Sequence, residues 1–346
     1  MTQVAVTHVQ ADYGDHVALR NLSLRFPSGQ LTAVVGPSGC GKSTLIRTIA
    51  GFHRAASGTV TIGERVVDGP EVFVRPEKRR VGVVTHDLAL FPNLDVAGNV
   101  GYGIRRWGRY DEGRVAELLA LLGLPDAGRM RVHQLASGQQ QRVAVARALA
   151  PNPLAVLLDE PFATLDQALR ESVRNDVRAA LRANDTTCVL VTHDQDEALR
   201  VADHVALVRD GELLQAGPPQ QLYDRPDSLW AARFLGALVE LPADGDEAWV
   251  TTALGVLPVA AAVSDSEARH GPVAVLRPEQ VVADPGGVTG RVVAITHLGP
   301  EAMVTVNVVR PGGGVLPIAW RTASAEGVRE GDQVRLGVAG AVRVFR

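Results

Sequence analysis

Aromatic residues make up only 4% of the 346-residue chain, cysteines number two, and no apolar run reaches transmembrane length. Each scarcity excludes something. A chain short of large rings must fill its core with Ala, Val and Leu. Cys40 and Cys188 are too few for a disulfide framework and lack metal-binding spacing, so they read as small hydrophobic fillers in a reducing compartment. With no long apolar run and no basic or apolar leader in "MTQVAVTHVQADYG", a soluble cytosolic protein is expected. A net charge of −3 lacks the global positive signal of a nucleic-acid binder. What is present, 46% hydrophobic and 21% charged residues, is a globular composition. The length predicts one large domain with a smaller one.

Patterning divides the chain. "QVAVTHVQADYG", "LSLRFPSGQ" and "LTAVVG" read as short strands, followed by a helix over "KSTLIRTIAGF". Residues 58–68 alternate with period two, predicting an exposed antiparallel strand pair. A mainly helical stretch covers about 88–150. "LAVLLDEP" and "TTCVLVTHD" are continuous apolar runs, as expected of strands buried on both faces of a parallel sheet. Between them Leu165, Leu169, Val173, Val177 and Leu181 recur every four residues, one face of an amphipathic helix. "QDEALRVAD" reads as a helix and "HVALVRDGELLQAG" as a hairpin. This alternation of strands and helices predicts an α/β fold with a mostly parallel sheet. Beyond about 236–242, short alternating strands rich in Gly and Pro predict a small all-β barrel. The expected domains are 1–238 and 239–346.

"VVGPSGCGKST", residues 34–44, follows a strand and opens a helix, the context that G-x-x-x-x-G-K-[ST] requires. Its glycines let backbone N–H groups of Gly36 to Thr44 turn inward around phosphates, including those of Pro37's neighbours Ser38, Gly39, Cys40 and Gly41. Lys42 would bridge β- and γ-phosphates and the Ser43 hydroxyl would ligate Mg²⁺. In "LAVLLDEP", Asp159 ends a buried strand where it can hold the Mg²⁺ shell, and Glu160 is placed to act as general base on a water. The alternatives, a Gly-rich connector and acidic residues that merely end a strand, do not account for the two together.

A long helical insertion between these two motifs sets the chain apart from small kinases and GTPases. The sequence resembles the ATP-binding cassette (ABC) ATPases of import transporters: an α/β P-loop NTPase with a parallel core, an antiparallel β subdomain and a helical subdomain at about 88–150. Tyr13-Gly14 resembles the aromatic loop that stacks on adenine. "LASGQQQR" resembles the signature LSGGQ. "FATLD", ending in Asp166, resembles the D-loop, and His193 in "VTHD" the switch histidine. The resemblance implies a homodimer closing over two ATPs, each held by one subunit's phosphate loop and by Ser137, Gly138 and Gln139 of the other. His193 would contact the γ-phosphate and support Glu160. It also implies polytopic permease subunits as partners, a peripheral position on the cytoplasmic membrane face, and indirectly an extracytoplasmic solute-binding protein. Residues 240–346 lack basic residues interleaved with aromatics, having only Trp249, Trp320 and Phe345, so no nucleic acid is expected as a partner.

Two positions depart from the family pattern. His86 stands where a glutamine near Mg²⁺ is usual, a stiff ring that can still meet the metal's water shell but would carry positive charge when protonated. Ala136 stands where the signature serine is usual and Ser137 where glycine is usual. Ser137 and Gln140 form S-x-x-Q, predicting a capping box that starts the helix at Gly138. "LALFPNLDVAGNV" resembles the region touching membrane subunits, with Phe91-Pro92 expected to be exposed. Residues 239–346, with "VLRPEQV", resemble the OB-like (TOBE) regulatory domain of importer ATPases. "NVGYGI" and "HLGPEAMVTV" look most like ferric-iron importers, with sulfate or thiosulfate, molybdate, polyamines and sugars as alternatives. Two other readings remain open: a soluble ABC ATPase acting on ribosomes or DNA, and an ATP-binding regulatory protein with weak hydrolysis.

Overall fold

The continuous apolar runs become the spine of a parallel sheet. A computed structural model describes residues 3–105, 110–163, 165–268, 271–310, 313–323 and 327–346. The first elements are β1 (Val4–Tyr13), β2 (His16–Phe26), β3 (Leu31–Val35), α1 (Lys42–Ala50), β4 (Ser57–Ile62), β5 (Arg65–Asp68) and β6 (Val81–Val84). Then come α2 (Val96–Val100), α3 (Glu112–Leu121), α4 (Ser137–Leu149), β7 (Ala155–Asp159), α5 (Gln167–Ala183), β8 (Thr187–Thr192) and α6 (Gln195–Val201). β9 (His204–Arg209), β10 (Glu212–Gly217) and α7 (Pro219–Asp224) follow.

The main sheet has the order β10-β9-β3-β8-β7-β6. Its members from β9 to β6 run parallel, and β10 pairs antiparallel with β9. Every residue of β3, β7 and β8 is buried, which is why these strands do not alternate in polarity. The β9–β10 hairpin turns at Asp210-Gly211, both with positive φ, a pairing suited to a two-residue turn matching strand twist. On α5, Val173, Val177 and Leu181 are buried as their four-residue spacing requires, and the Asp166 carboxylate caps the helix by accepting from Leu169 N–H. Thr164 of the "FATLD" motif lies outside the described residues.

The strand pair at 58–68 does not stand exposed. β4 and β5 complete a second sheet, β2-β1-β4-β5, and Val60, Ile62 and Val67 are buried in the core it shares with α1. The alternation belongs to strands with one buried face, and the packing of β1 beside β4 brings that face to the main core.

Contacts divide the chain into two units, Met1–Leu222 and Tyr223–Arg346. The second contains α8 (Leu229–Phe234) and β11 (Val239–Pro242), β12 (Asp244–Gly245), β13 (Trp249–Thr252), β14 (Gly255–Val263), β15 (Val273–Leu276), β16 (Val281–His297), β17 (Ala302–Val309), β18 (Val315–Thr322), β19 (Gln333–Val338) and β20 (Val342–Phe345). They form a six-stranded sheet, β11-β15-β20-β14-β13-β12, and a four-stranded sheet, β18-β17-β16-β19, around one small-aliphatic core. Buried Arg277, the arginine of "VLRPEQV", donates to the carbonyls of Tyr223, Ala232, Gly236 and Ala237, satisfying a segment of backbone that the strands leave unpaired. Among the described residues no helix is long and apolar enough to cross a membrane.

Candidate functional site

The phosphate loop leaves β3 and enters α1 through a turn that only glycine can make. Gly41 has φ +100, and a Cβ there would sit 2.3 Å from the Ala18 carbonyl oxygen; at Gly36 a Cβ would come within 1.9 Å of the Val208 carbonyl oxygen. The backbone therefore packs too closely for any side chain, which holds the loop's N–H groups at the start of α1. Lys42 is 6% exposed and donates from Nζ to the carbonyls of Gly36 and Pro37, each at 2.8 Å. Its ammonium thus curls back on the loop. Cys40 packs beside it, and burial raises the thiol's pKa despite the Lys42 charge, so this cysteine stays a neutral filler.

The two strand ends converge on the same place. Ser43 donates its hydroxyl to Asp159 Oδ1 at 3.1 Å. Burial pushes the Asp159 carboxyl pKa up and Glu160 adds to this, while the Ser43 bond, Arg47 and His86 pull it down. His86 is exposed at the loop after β6, where it would favour the Asp159 carboxylate only when protonated. Glu160 has φ +48, an unfavourable region for a residue with a side chain, and its N–H bonds to the Val191 carbonyl at 2.9 Å. That twist ends β7 abruptly and sends the Glu160 carboxylate toward the next strand end, where His193 Nδ1 lies 3.2 Å from its Oε2.

A cleft of about 320 Å³ is lined by Tyr13, His16, Ser38, Gly41, Lys42, Ser43, Thr44 and Glu160, among others. Tyr13 is 44% exposed, and its ring lies 4.5 Å from that of His53 in a tilted arrangement. His16 and His53 escaped the sequence reading, since neither belongs to a motif; the hairpin between β1 and β2 and the end of α1 bring them here.

The signature does not line this cleft: Ser137, Gly138 and Gln139 occupy the first turn of α4, beside α5, where a Cβ on Gly138 would meet the Leu169 side chain at 2.8 Å. The expected capping box is displaced by one residue. The helix starts at Ser137 with Ala136 as its cap, and Gln139, not Gln140, reaches back to accept from Ala136 N–H at 3.0 Å. Gln140 instead donates to the carbonyls of Val132 and Leu135. Ala136 has no acceptor to offer, so only the reverse half of the box forms and the N–H groups of the first turn stay uncapped by a side chain. The preceding 3₁₀ turn ends at Gln134 and fixes this register, which the S-x-x-Q spacing alone could not reveal.

Behind the Glu160–His193 pair lies a cavity of about 50 Å³, also lined by Phe162, Ala163, Arg170, Thr192, Asp194 and Glu197. Glu197, missed by motif reading, is 4% exposed. It accepts from the Thr192 hydroxyl, which in turn accepts from Asp194 N–H at 3.0 Å, framing the turn that carries His193. Burial raises the Glu197 pKa. Above the ordinary carboxyl range the folded chain keeps a proton that the unfolded chain has released, so this group's contribution to stability falls as pH rises through that window. Glu197→Gln removes the titration while keeping an acceptor for Thr192. Urea unfolding from pH 4 to 8 is expected to show the variant gaining on the wild type as pH rises; parallel stability curves would refute a buried, titrating Glu197.

Residues 19–163 match the profile of the ABC transporter family and residues 274–345 that of the TOBE domain. A Fe(3+) ions import ATP-binding protein of Rhodococcus jostii is 42% identical over 97% of this chain and 96% of its own length. Its counterpart in Pseudomonas fluorescens is 38% identical over 100% of this chain and 98% of its own. A solved ATP-binding cassette, dimeric in a post-hydrolysis state with ADP and Pi bound, matches 62% of this chain and 98% of its own, with 29% identity and a TM-score of 0.55.

Proposed function

This chain belongs to the ABC transporter family of import ATP-binding proteins, and on that premise we propose that it hydrolyses ATP as the energising subunit of an importer. The observation that carries the reading is one cleft lined by Lys42, Ser43 and Glu160 with Tyr13 at its rim, where Asp159 is bonded to Ser43 and His193 lies beside Glu160. The adenine would stack on Tyr13 and the phosphates would lie on the N–H groups of Gly36 and of Ser38 to Thr44, Pro37 having none to donate. Lys42 would exchange its two carbonyl partners for phosphate oxygens, a stronger charge-assisted pairing.

Mg²⁺ fits the donor set, since the Ser43 hydroxyl and Asp159 carboxylate are hard oxygens already 3.1 Å apart. When bound it would neutralise developing charge on the phosphates. His86 would meet its outer water shell. Glu160 would take the proton from the attacking water, and His193 would orient Glu160 and reach the γ-phosphate. Asp166 would border the second subunit.

The uncapped N–H groups at Ser137, Gly138 and Gln139 would face ATP bound by a second copy, completing the site on dimer closure. With Ala136 in place of serine, one charge-assisted hydrogen bond is missing, worth about 1.5–3 kcal/mol. Ala136→Ser is therefore expected to raise steady-state ATPase about tenfold or more where this bond limits the rate; an unchanged rate would show that the backbone donors suffice.

Domain 1–238 would be the motor and 239–346 the regulatory barrel, docked through permease subunits to the cytoplasmic membrane face and served by an extracytoplasmic binding protein. Ferric iron is the solute we propose, from the names of the relatives. Loss of the gene should abolish ferric-iron uptake by whole cells, and uptake undiminished would redirect the assignment to sulfate, polyamine or sugar import. Ala136 and His86 favour one second reading, an ATP-binding regulatory protein with weak hydrolysis; it predicts Mg²⁺-ATPase in the purified protein no higher than in Glu160→Gln.

A further inference from the structure

Between the cleft and Phe91, which is half-buried rather than exposed as expected while Pro92 is exposed, lies a loop in a costly conformation. After β6 the chain turns at Thr85–Leu88, with Leu88 N–H bonded to the Thr85 carbonyl at 2.9 Å. Leu88 and Ala89 then adopt φ +57 and +43 in succession. Side chains disfavour that region, so two consecutive residues hold it only where something external fixes them. The external group is Arg147, in the last turn of α4. Its Nη1 donates to the Ala89 carbonyl at 2.6 Å and its Nη2 to the Leu88 carbonyl at 2.7 Å. Its guanidinium also lies 5.4 Å from the centre of the Phe91 ring.

The loop is gripped at its far end as well. Buried Asn99 accepts from Phe91 N–H at 2.8 Å and donates to its carbonyl at 3.1 Å, and the Phe91 ring sits 4.3 Å from Tyr102, which is 52% exposed. Upstream, the loop contains the exposed His86, at the end of the strand beside the one that ends in Asp159. The other end of α4 is the uncapped turn at Ser137, about 15 Å from Arg147 along the helix. One rigid rod thus touches the partner-facing turn at one end and the His86 loop at the other.

We propose that Arg147 is the positioning residue that fixes the His86 loop to the signature helix, so that the loop's placement at the nucleotide follows the placement of that helix. A planar fork suits the task, because two adjacent carbonyls pointing the same way demand two parallel donors on one group. The inference rests on the ATPase reading above. If that reading is wrong, the unmodified protein will fail to hydrolyse ATP; if only this inference is wrong, the unmodified protein hydrolyses and the variants do too.

Arg147→Ala in the full chain is expected to lower kcat at least about tenfold, the effect of one lost charge-assisted bond. The KM for ATP should stay within about twofold, since the phosphate loop is untouched. Arg147→Lys keeps the stem and the charge but not the fork, so it should remain folded and still lose kcat. The deciding variant adds Ala89→Gly to Arg147→Ala. Glycine reaches positive φ without strain but restores no bond to α4, so kcat should stay at least about tenfold down. Hydrogen exchange should rise in residues 85–92 of Arg147→Ala and Arg147→Lys, with the rest of the chain unchanged, and should not fall back on adding the glycine. Unchanged kcat in Arg147→Ala and Arg147→Lys, or recovery to wild type on adding Ala89→Gly, would overturn the proposal.

Discussion

Glu160→Gln is expected to lower kcat for ATP hydrolysis by about two to four orders of magnitude, the range of general-base catalysis. The substitution preserves shape and removes only the capacity to hold a proton. Glu160 owes its position to backbone, not to side-chain packing: its φ of +48 and the bond from its N–H to Val191 are unaffected by the exchange. Lys42, Ser43 and the loop glycines are equally unaffected, so the KM for ATP should hardly change. The variant should therefore bind ATP and stop before hydrolysis, which equilibrium binding beside a phosphate-release assay would register. His193 supplies the internal check. It lies 3.2 Å from Glu160 Oε2, so His193→Ala should also slow turnover, and the double variant should be no slower than Glu160→Gln alone because both changes act on one step. A Glu160→Gln rate within about twofold of wild type would remove Glu160 from the base role.

Asp68→Ala should produce the largest loss of stability, about 3–5 kcal/mol, which is the penalty for breaking a buried ion pair from one side. The side chains of Arg79 and Asp68 are 0% and 1% exposed, with Nη2 and Oδ2 3.3 Å apart. The remaining Arg79 donors go to backbone carbonyls: Nε to Val74 at 2.7 Å, Nη1 to Thr48 at 2.7 Å and to Ile49 at 3.0 Å. Those neutral acceptors orient the guanidinium without cancelling its charge. Burial already lowers the Arg79 pKa and Asp68 opposes that shift, so loss of the carboxylate leaves a cation with nothing to balance it. Thr48 and Ile49 close the helix that begins at the phosphate loop, where a cation also complements the helix dipole. Loosening Arg79 should thus reach the nucleotide site. Chemical denaturation would measure the change, with Asp68→Asn expected to lose less because it keeps a carbonyl acceptor. A loss under about 1 kcal/mol for Asp68→Ala would mean that solvent reaches Arg79.

Neither Arg79 nor Glu197 could have been picked out by reading the chain. Each is an ordinary charged residue in a polar stretch, and its importance comes from what folds over it. The motifs were legible for the opposite reason. A phosphate loop needs glycine wherever a backbone atom leaves no room, as at Gly36 and Gly41, so the chemistry is written in residue types at fixed spacing. Strands buried on both faces must be apolar throughout, so "LAVLL" and "CVLVT" declared their place in the sheet. The signature helix shows where such reading stops. S-x-x-Q at Ser137 and Gln140 and A-x-x-Q at Ala136 and Gln139 are adjacent, and residue preference favours the first. The 3₁₀ turn before Leu135 sets the helix phase and selects the second.

By itself, then, the sequence determined the nucleotide chemistry, the parallel core and the all-β character of the C-terminal part, because local geometry and burial on both faces demand particular residue types. Only the tertiary structure decided that β4 and β5 close a buried sheet, that His16 and His53 stand beside Tyr13, and that Arg147 grips the loop of His86. Those depend on which surfaces meet after the chain has folded, and contacts between distant segments leave no periodicity in the residues that make them.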